Sequence, residues 1–393
     1  MPPDPTHQID TSTPEKIKAF LHNALGKIGS FEQCAFLDYP DYFNLGDHLI
    51  GIATLFYLTD VVKANVNYVA TINNFSEESL EKHIGQAPII LQGGGNLGDL
   101  WSHHQEFREY IISKYRDRPI IIMPQCIYFA NPENLTRAAA IFNAHPNLTL
   151  FTRDNYSYEL ACQHFSNCQV IKAPDMAFHL VDVPLPSYYF NPKKPILYLC
   201  REDVELNQPF LPDALEIPNL VVKDWVNTAD WVYRGRGRFE ELKEWYWLVP
   251  GSILLFREGW QRGGFANPKE WLLRYKWEHT HPYAERFNTL YAPFTYRFSW
   301  SLTHTGMYQF LQSSLVITNR LHGHILSTLL GIPNILLPNS YYKNESFYKT
   351  WTHQIPYCRF ITDPSQVKGT VRELLSSFSP LPKSSVRGDK KCH

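Results

Sequence analysis

Short, almost wholly apolar runs recur along this chain with helical periodicity between them, and that alternation constrains the fold more than any other feature. The runs include Ala35-Phe36-Leu37, Val66-Asn67-Tyr68-Val69, Pro88-Ile89-Ile90-Leu91, Ile120-Ile121-Ile122-Met123 and Leu148-Thr149-Leu150-Phe151. Between them the apolar residues follow a helical period, clearest in Leu49, Ile50, Ala53, Leu55, Phe56 and Leu58. A strand that is apolar on both faces must be covered on both, and parallel strands wound with helices supply that cover. A second set of strands starts at Ile196-Leu197-Tyr198-Leu199 and includes Leu220-Val221-Val222, Leu315 to Ile317 and Ile335-Leu336-Leu337. Between the sets, Val183-Pro184-Leu185-Pro186 and Asn191-Pro192-Lys193-Lys194-Pro195 read as a linker. The expected fold class is α/β, with two Rossmann-like domains facing a cleft at residues 31–188 and 189–375. An N-terminal extension with a helix (1–30, helical at Ile17, Phe20, Leu21 and Leu25) precedes them, its first 15 residues loose. A disordered tail (376–393) follows.

Composition removes several classes of function. Hydrophobic residues make up 44%, enough for two cores in 393 residues and too many for a disordered chain. A formal net charge of −1 gives no footprint for nucleic acid. The seven cysteines are odd in number and scattered without a C-x-x-C pair, so buried free thiols are expected rather than a disulfide framework or zinc site. Met1-Pro2-Pro3-Asp4-Pro5 lacks a signal-peptide pattern, and no apolar run is read as reaching membrane-spanning length. These features predict a soluble cytoplasmic protein with no integral membrane segment.

The chemistry is expected where strands end and helices begin, because ligands in open α/β sheets bind outside the carboxyl ends of the strands. The richest such point is Thr318-Asn319-Arg320-Leu321-His322-Gly323-His324, between an apolar strand and a helix closing in Leu329-Leu330-Gly331-Ile332-Pro333. Arg320 can fork onto a carboxylate or phosphate, His322 can move a proton near neutral pH, and the helix start favours anions. His324 completes H-x-H without a supporting carboxylate cluster, so a packed helix histidine is expected and no metal. Asn44-Leu45-Gly46-Asp47 precedes the first long helix, where Asn44 or Asp47 would serve as N-cap while the loop rims the cleft. Gln92-Gly93-Gly94-Gly95-Asn96-Leu97-Gly98-Asp99 contains G-x-G-x-x-G, but the next strand ends in Met123-Pro124-Gln125 without the ribose-binding carboxylate of a dinucleotide site. What survives is a glycine turn that lets backbone approach a ligand, with Asn96 and Asp99 beside it. Arg153-Asp154 ends another strand, with Asp154 either a helix cap or a substrate contact, and Pro174-Asp175-Met176 forms the last such turn of the first half. Arg201 ends the first strand of the second half, either to grip an anion or to pair with Glu202 or Asp203.

Taken in order, Asn44-Leu45-Gly46-Asp47, Gly93-Gly94-Gly95-Asn96 with Asp99, Arg153-Asp154, Pro174-Asp175-Met176-Ala177-Phe178, Arg201, Arg320-Leu321-His322-Gly323 and Tyr341-Tyr342-Lys343-Asn344 resemble the polysaccharide pyruvyl transferase family. The resemblance implies a GT-B-like fold, a phosphoenolpyruvate donor and a sugar or oligosaccharide acceptor, free or lipid-linked, on which a pyruvate ketal forms. It implies no cofactor and no metal. In that reading Arg320 and Arg201 hold the donor's anions. His322 is the acid or a phosphate ligand, and Asp99 is the base for the acceptor hydroxyl. Leu321, Gly323, Lys343, Asn44, Asp47, Gly94, Gly95, Asn96 and Arg153 line the substrates. The rival of the same fold is a nucleotide-sugar-dependent glycosyltransferase, and a rival of another class is a non-catalytic carbohydrate binder.

The stretch 225–300 has no counterpart in that resemblance. It holds eight of the ten tryptophans, among them Trp225, Trp260, Trp277 and Trp300, interleaved with basic residues as in Arg234-Gly235-Arg236-Gly237-Arg238. Aromatic faces beside hydrogen-bonding groups suit sugar rings, so this insertion is expected to give the acceptor at least one contact. Any single tryptophan is as readily a packing residue.

Overall fold

The computed structural model describes residues 9–42, 44–184, 194–201, 205–206, 210–225 and 268–377. Its strands form two parallel sheets with helices between them, as the apolar runs require. The first sheet comprises β1 (Gln33–Leu37), β2 (Asn65–Ala70), β3 (Ile89–Leu91), β4 (Gly94–Gly98), β5 (Ile120–Tyr128), β6 (Leu148–Thr152) and β7 (Gln169–Lys172). Its order is β2-β1-β3-β5-β6-β7, with β4 pairing to β5. The second comprises β8 (Ile196–Leu199), β9 (Leu220–Lys223), β10 (Leu315–Thr318), β11 (Asn334–Leu336) and β12 (Cys358–Phe360), in the order β12-β11-β10-β8-β9.

Both orders reverse direction once near the middle. In the first sheet the chain passes from β1 outward to β2 and returns to the other side as β3. In the second it passes from β8 outward to β9 and returns as β10. Connections at such a switch point diverge and leave a crevice at the carboxyl ends. Register fixes what faces each crevice. Leu37 pairs with Leu91, so Asp38 and Gln92 leave side by side. Thr318 pairs with Leu199, so Asn319-Arg320 emerges beside Cys200-Arg201.

The largest apolar cluster draws on both sheets, joining Phe36 and Phe151 to Leu199 and Val316. At its centre runs the helix Leu45–Tyr57, every residue of which is buried. It continues in a wider turn to Val62, and the 18 residues Leu45–Val62 are long and apolar enough to cross a membrane, contrary to the expectation that no run reaches that length. They are 78% buried inside the protein, which is the environment of a core helix. The helix Pro293–Leu311 meets it closely, since a Cβ on Gly306 would lie 1.9 Å from Leu45 Cδ2. Hydrogen bonds tie the same contact, with the Tyr39 hydroxyl donating to Ser299 Oγ (2.7 Å) and His48 Nδ1 at 2.8 Å from it. Burial lowers the His48 pKa to about 4.

The apolar runs all fall on strands, and the early helix spans Pro14–Leu25 with Ile17, Leu21 and Leu25 buried. Four expectations are corrected. Gly94–Gly98, read as a turn, is a strand pairing with β5. β7 and β12 are polar enough to have escaped the apolar pattern. The last helix runs to Ser377, past the expected start of the tail, and 378–393 lie outside the described residues. Order also begins before residue 15, since Thr11 is buried and its N–H donates to Gln354 Oε1 at 3.0 Å. Among the described cysteines, Cys34, Cys126, Cys200 and Cys358 are buried free thiols as expected, whereas Cys162 is exposed.

Candidate functional site

Arg153 leaves β6 fully buried, and its contacts define the centre of the site. Its Nη1 donates to Asp175 Oδ2 at 2.5 Å and its Nε to Cys126 Sγ at 3.0 Å. Asp175 lies in the turn after β7 and caps the short helix Met176–Asp182 through the Ala177 N–H. Burial opposes ionisation of this carboxyl, but His322 and Arg153 overcome it and hold the pKa far below the usual carboxylate range. From the second sheet, His322 Nε2 stands 3.4 Å from both Asp175 Oδ2 and Arg153 Nη1. The same nitrogen can therefore donate to the carboxylate or accept from the guanidinium, according to the tautomer. The opposite edge of the ring rests on the first turn of Leu45–Tyr57, where a Cβ on Gly46 would come within 2.2 Å of His322 Nδ1.

Three further cations follow strands of the second sheet. Gly95 sits under one of them and under Arg153, because a Cβ there would lie 3.2 Å from Arg153 Nη2 and 3.7 Å from Lys343 Nζ. Lys343 and Arg201 share Glu205, with Arg201 Nη1 donating to Oε2 at 2.9 Å and the Lys343 ammonium bonding the same oxygen. Burial lowers the Lys343 pKa, Glu205 opposes that, and Arg201 adds to it. Arg320 caps the helix Leu321–Leu330 and turns its fork onto Asp224 at the end of β9, Nε to Oδ1 at 2.5 Å and Nη2 to Oδ2 at 2.8 Å. Buried cations left alone cost several kcal/mol, so each carries a carboxylate partner. Asn344 braces the frame by donating to the carbonyls of Asn319 and Leu337.

A second polar cluster lies at the end of β1. Asp38 takes a left-handed φ of 59°, uncommon for a residue with a side chain, and both its oxygens are engaged. His104 Nδ1 stands 2.7 Å from Oδ1 and Arg108 Nη2 2.6 Å from Oδ2. The His104 ring packs edge-on against Tyr42. The Tyr42 hydroxyl donates to Asp47 Oδ2 at 2.9 Å and lies 3.0 Å from Asn96 Nδ2. Asn44, rather than Asp47, is the helix N-cap, its Oδ1 accepting from the Gly46 N–H while its Nδ2 holds Asp47. Gly94, at φ 127°, brings the strand within reach of Asp47 Oδ1, 3.3 Å from where a Cβ would stand.

The structure thus brings together Arg153, Arg201, Lys343, Gly95 and His322 in one chain of contacts, and Asn44, Asp47, Gly94 and Asn96 in another. Arg320 meets Asp224. Leu321 is core, and Gly323 packs on Thr318 and Leu199, where a Cβ would lie 2.6 Å from Thr318 Oγ1. Asp99 does not fit the role of base. Its carboxylate accepts the N–H groups of Ala130 and Asn131, both at 2.8 Å, and the Asn134 amide. Burial raises its pKa, but those hydrogen bonds outweigh it and leave the group less basic than usual. Asp154 is a cap, accepting from the Ser157 N–H. His324 packs inside its helix against Asn334 and Thr352, as expected. Arg201 pairs with Glu205, and the alternatives Glu202 and Asp203 lie outside the described residues.

Sequence reasoning did not single out Glu205, Asp224, Asp38, His104 or Arg108. Asp175 carried the available signal, a carboxylate in a strand-end turn. The tryptophans that can be read take the packing role expected of any single one. Trp225, Trp277 and Trp300 are buried core residues, Trp277 and Trp300 stacking at 4.6 Å. The side chains of Trp231, Trp245, Trp247, Trp260 and Trp271, and the glycines and arginines of 234–238, lie outside the described residues.

Comparison with known proteins agrees with this frame. A family model described as polysaccharide pyruvyl transferase matches residues 44–341. EpsO of Bacillus subtilis (strain 168) is 31% identical over 352 residues, spanning 89% of this chain and 95% of its own. Pyruvyl transferase 1 of Schizosaccharomyces pombe (strain 972) is 27% identical over 330 residues, spanning 82% and 70% respectively. The crystal structure of a functionally uncharacterised Klebsiella pneumoniae protein superposes with a TM-score of 0.51 at 20% identity, over 88% of this chain and 98% of the other, a likeness of fold.

Proposed function

The chain belongs to the polysaccharide pyruvyl transferase family, and from that premise we propose that it moves the enolpyruvyl group of phosphoenolpyruvate onto two hydroxyls of a sugar in a polysaccharide or glycan precursor. The observation that carries the reading is the chain of contacts from His322 to Arg153 and, past Gly95, to Lys343 and Arg201 on their shared Glu205, with Arg320 on an adjoining strand end. A donor bearing both a carboxylate and a phosphate needs several fixed cations and a helix start. Their carboxylate partners keep those cations in place before the donor arrives, which is preorganisation.

The chemistry balances without a redox partner. Protonation of the donor's methylene carbon makes the neighbouring carbon electrophilic, and one sugar hydroxyl attacks it and loses its proton. The second hydroxyl then displaces phosphate, which leaves with the C–O electron pair and the second proton. His322, between Asp175 and Arg153, is the proton donor in this scheme. The acceptor-side base is His104 rather than Asp99, since Asp38 holds its Nδ1 and Nε2 is then the nitrogen that takes a proton. The reading treats 31–188 and 189–375 as two Rossmann-like domains with a cleft open to both substrates, in the cytoplasm.

Incubation with phosphoenolpyruvate and a panel of sugars, followed by mass spectrometry, tests it. The expected result is a pyruvylated sugar with release of inorganic phosphate. Thermal stabilisation by nucleotide sugars and not by phosphoenolpyruvate would overturn it in favour of a glycosyltransferase.

A further inference from the structure

Four tyrosines form a row to which the proposed donor chemistry gives no role, although Tyr341 and Tyr342 lie in a motif that carries the family resemblance. Tyr128 ends β5, Tyr156 stands in the first turn of the helix after β6, and Tyr341 and Tyr342 follow β11, so the row is built from both sheets. Tyr128 and Tyr341 lie 4.6 Å apart between ring centroids, Tyr341 meets Tyr342 edge-on at 5.4 Å, and Tyr342 stacks on Tyr156 at 3.6 Å. The two ends of the row differ. At the inner end the Lys343 ammonium sits 5.1 Å over the Tyr341 ring, which puts that ring against the cations already described. The Tyr341 hydroxyl is buried and has no hydrogen-bond partner among the described residues. Burial, Glu205 and Cys126 push its pKa well above the ordinary tyrosine value, so it stays a neutral phenol that can donate. A buried hydroxyl without a partner is unfavourable and calls for an explanation, and a ligand oxygen supplies one. At the outer end Tyr156 is 47% exposed, and its backbone N–H is held by Ser346 Oγ at 3.3 Å, so the ring stands at the surface on a fixed base.

Resting on the pyruvyl-transfer reading, we propose that this row is the acceptor subsite for a sugar chain: the Tyr341 hydroxyl bonds the unit that is pyruvylated, and Tyr156 stacks on the next unit outward. An aromatic face with a hydroxyl at its edge matches a sugar ring, apolar on its C–H face and polar at its rim. The described tryptophans of the insertion are buried and do not offer such a face.

The full-length protein is tested with cellobiose, lactose and mannobiose beside their monosaccharides, as wild type, Tyr156→Ala and Tyr341→Phe. Saturation-transfer NMR reads sugar contact directly, and thermal shift with phosphoenolpyruvate reads the donor site. Wild type should contact at least one disaccharide. Tyr156→Ala should weaken that disaccharide about five- to tenfold while leaving the monosaccharide unchanged. Tyr341→Phe, which keeps the ring, should weaken both. Neither change should alter the thermal shift with phosphoenolpyruvate. Wild-type affinity for sugars in both variants, no sugar contact in the wild type, or loss of the donor shift in either variant would each overturn the proposal, the last by making the row interdomain packing. If sugar contact follows the expected pattern but no pyruvylated product forms with any acceptor, the pyruvyl-transfer reading fails and the sugar subsite stands.

Discussion

The strand ends of the two sheets are unlike in charge. The five-stranded sheet delivers Arg201 after β8, Arg320 after β10 and Lys343 after β11, with His322 one turn further on. The seven-stranded sheet delivers Asp38 after β1, Gln92 after β3, Asn96 within β4 and Asp175 after β7, with Arg153 the cation among them. One fold used twice has thus produced one set of cationic strand ends and one set of mostly hydrogen-bond acceptors. The difference teaches that sheet geometry supplies the crevice while the residues just past each strand decide what enters it. On the proposed function, the anionic donor lies against the second sheet, and the first supplies the acceptor-side base.

His322→Ala breaks the comparison most severely. It should lower kcat with phosphoenolpyruvate by roughly 10²–10⁴ without lowering Tm. A change confined to the acceptor KM would put the imidazole on the wrong side. Gly46→Ala attacks the same ring from the first sheet, because its Cβ would meet His322 Nδ1 at 2.2 Å. Displacing the ring by about an ångström should cost on the order of 10²-fold in kcat/KM, and normal kinetics in a folded variant would show that the ring's seat is unimportant. Arg320→Lys keeps the charge and loses the fork now engaged with Asp224. A loss of about 1.5–3 kcal/mol in kcat/KM for phosphoenolpyruvate is expected, with the acceptor KM unmoved.

Smaller effects separate scaffold from site. Asp99→Ala should remove about 1–2 kcal/mol of stability by unpinning the Ala130 and Asn131 N–H groups. Activity per folded molecule should survive, and a large kinetic defect at normal Tm would restore Asp99 as a base. The last prediction treats the sheets as equals. His48 beside the first and His324 beside the second are both buried, and burial lowers each pKa from 6.5 to about 4. In the unfolded chain each takes up its proton near pH 6.5 but in the folded chain only near 4, so stability is full above about pH 6.5 and falls as pH drops towards 4. Between pH 7 and 5.5 each should cost about 1 kcal/mol. Replacing either with a neutral isostere, as in His48→Gln or His324→Asn, should flatten the denaturant midpoint against pH by the same amount, and a flat profile in the unmodified protein would refute the buried neutral state.

Much of this was legible because it is local. Apolar strands, helix starts and the residues at strand ends are written in consecutive positions, which is why Arg153, Arg201, Arg320 and His322 stand out in the sequence, whereas Lys343 stands out only through the family resemblance. What stayed hidden depends on pairing across the chain. Asp38 reaches a histidine 66 residues on, and Asp224 holds an arginine 96 residues on. Asp99 looked like its neighbours in the glycine-rich motif, but its environment comes from the loop at Ala130 and Asn131, which no local pattern announces. Gly94–Gly98 reads as a turn because glycine weakens the β signal, while neighbours on β5 supply the pairing that propensity does not. Composition alone does not separate a packing tryptophan from a sugar-facing one, and burial makes core of Trp225, Trp277 and Trp300.

The apolar cluster that joins Phe36 and Phe151 to Leu199 and Val316 also governs how the molecule melts. Neither sheet can detach without exposing the flank of Leu45–Tyr57, and the Trp351 indole, donating to the Arg153 carbonyl at 2.8 Å, would be torn from the opposite half in the same event. Unfolding should therefore be a single cooperative transition in calorimetry, with hydrogen exchange in the two sheets reporting one common opening energy. A fragment ending at 184 would leave that helix with an uncovered apolar side, and its fate on synthesis is aggregation until the later strands arrive.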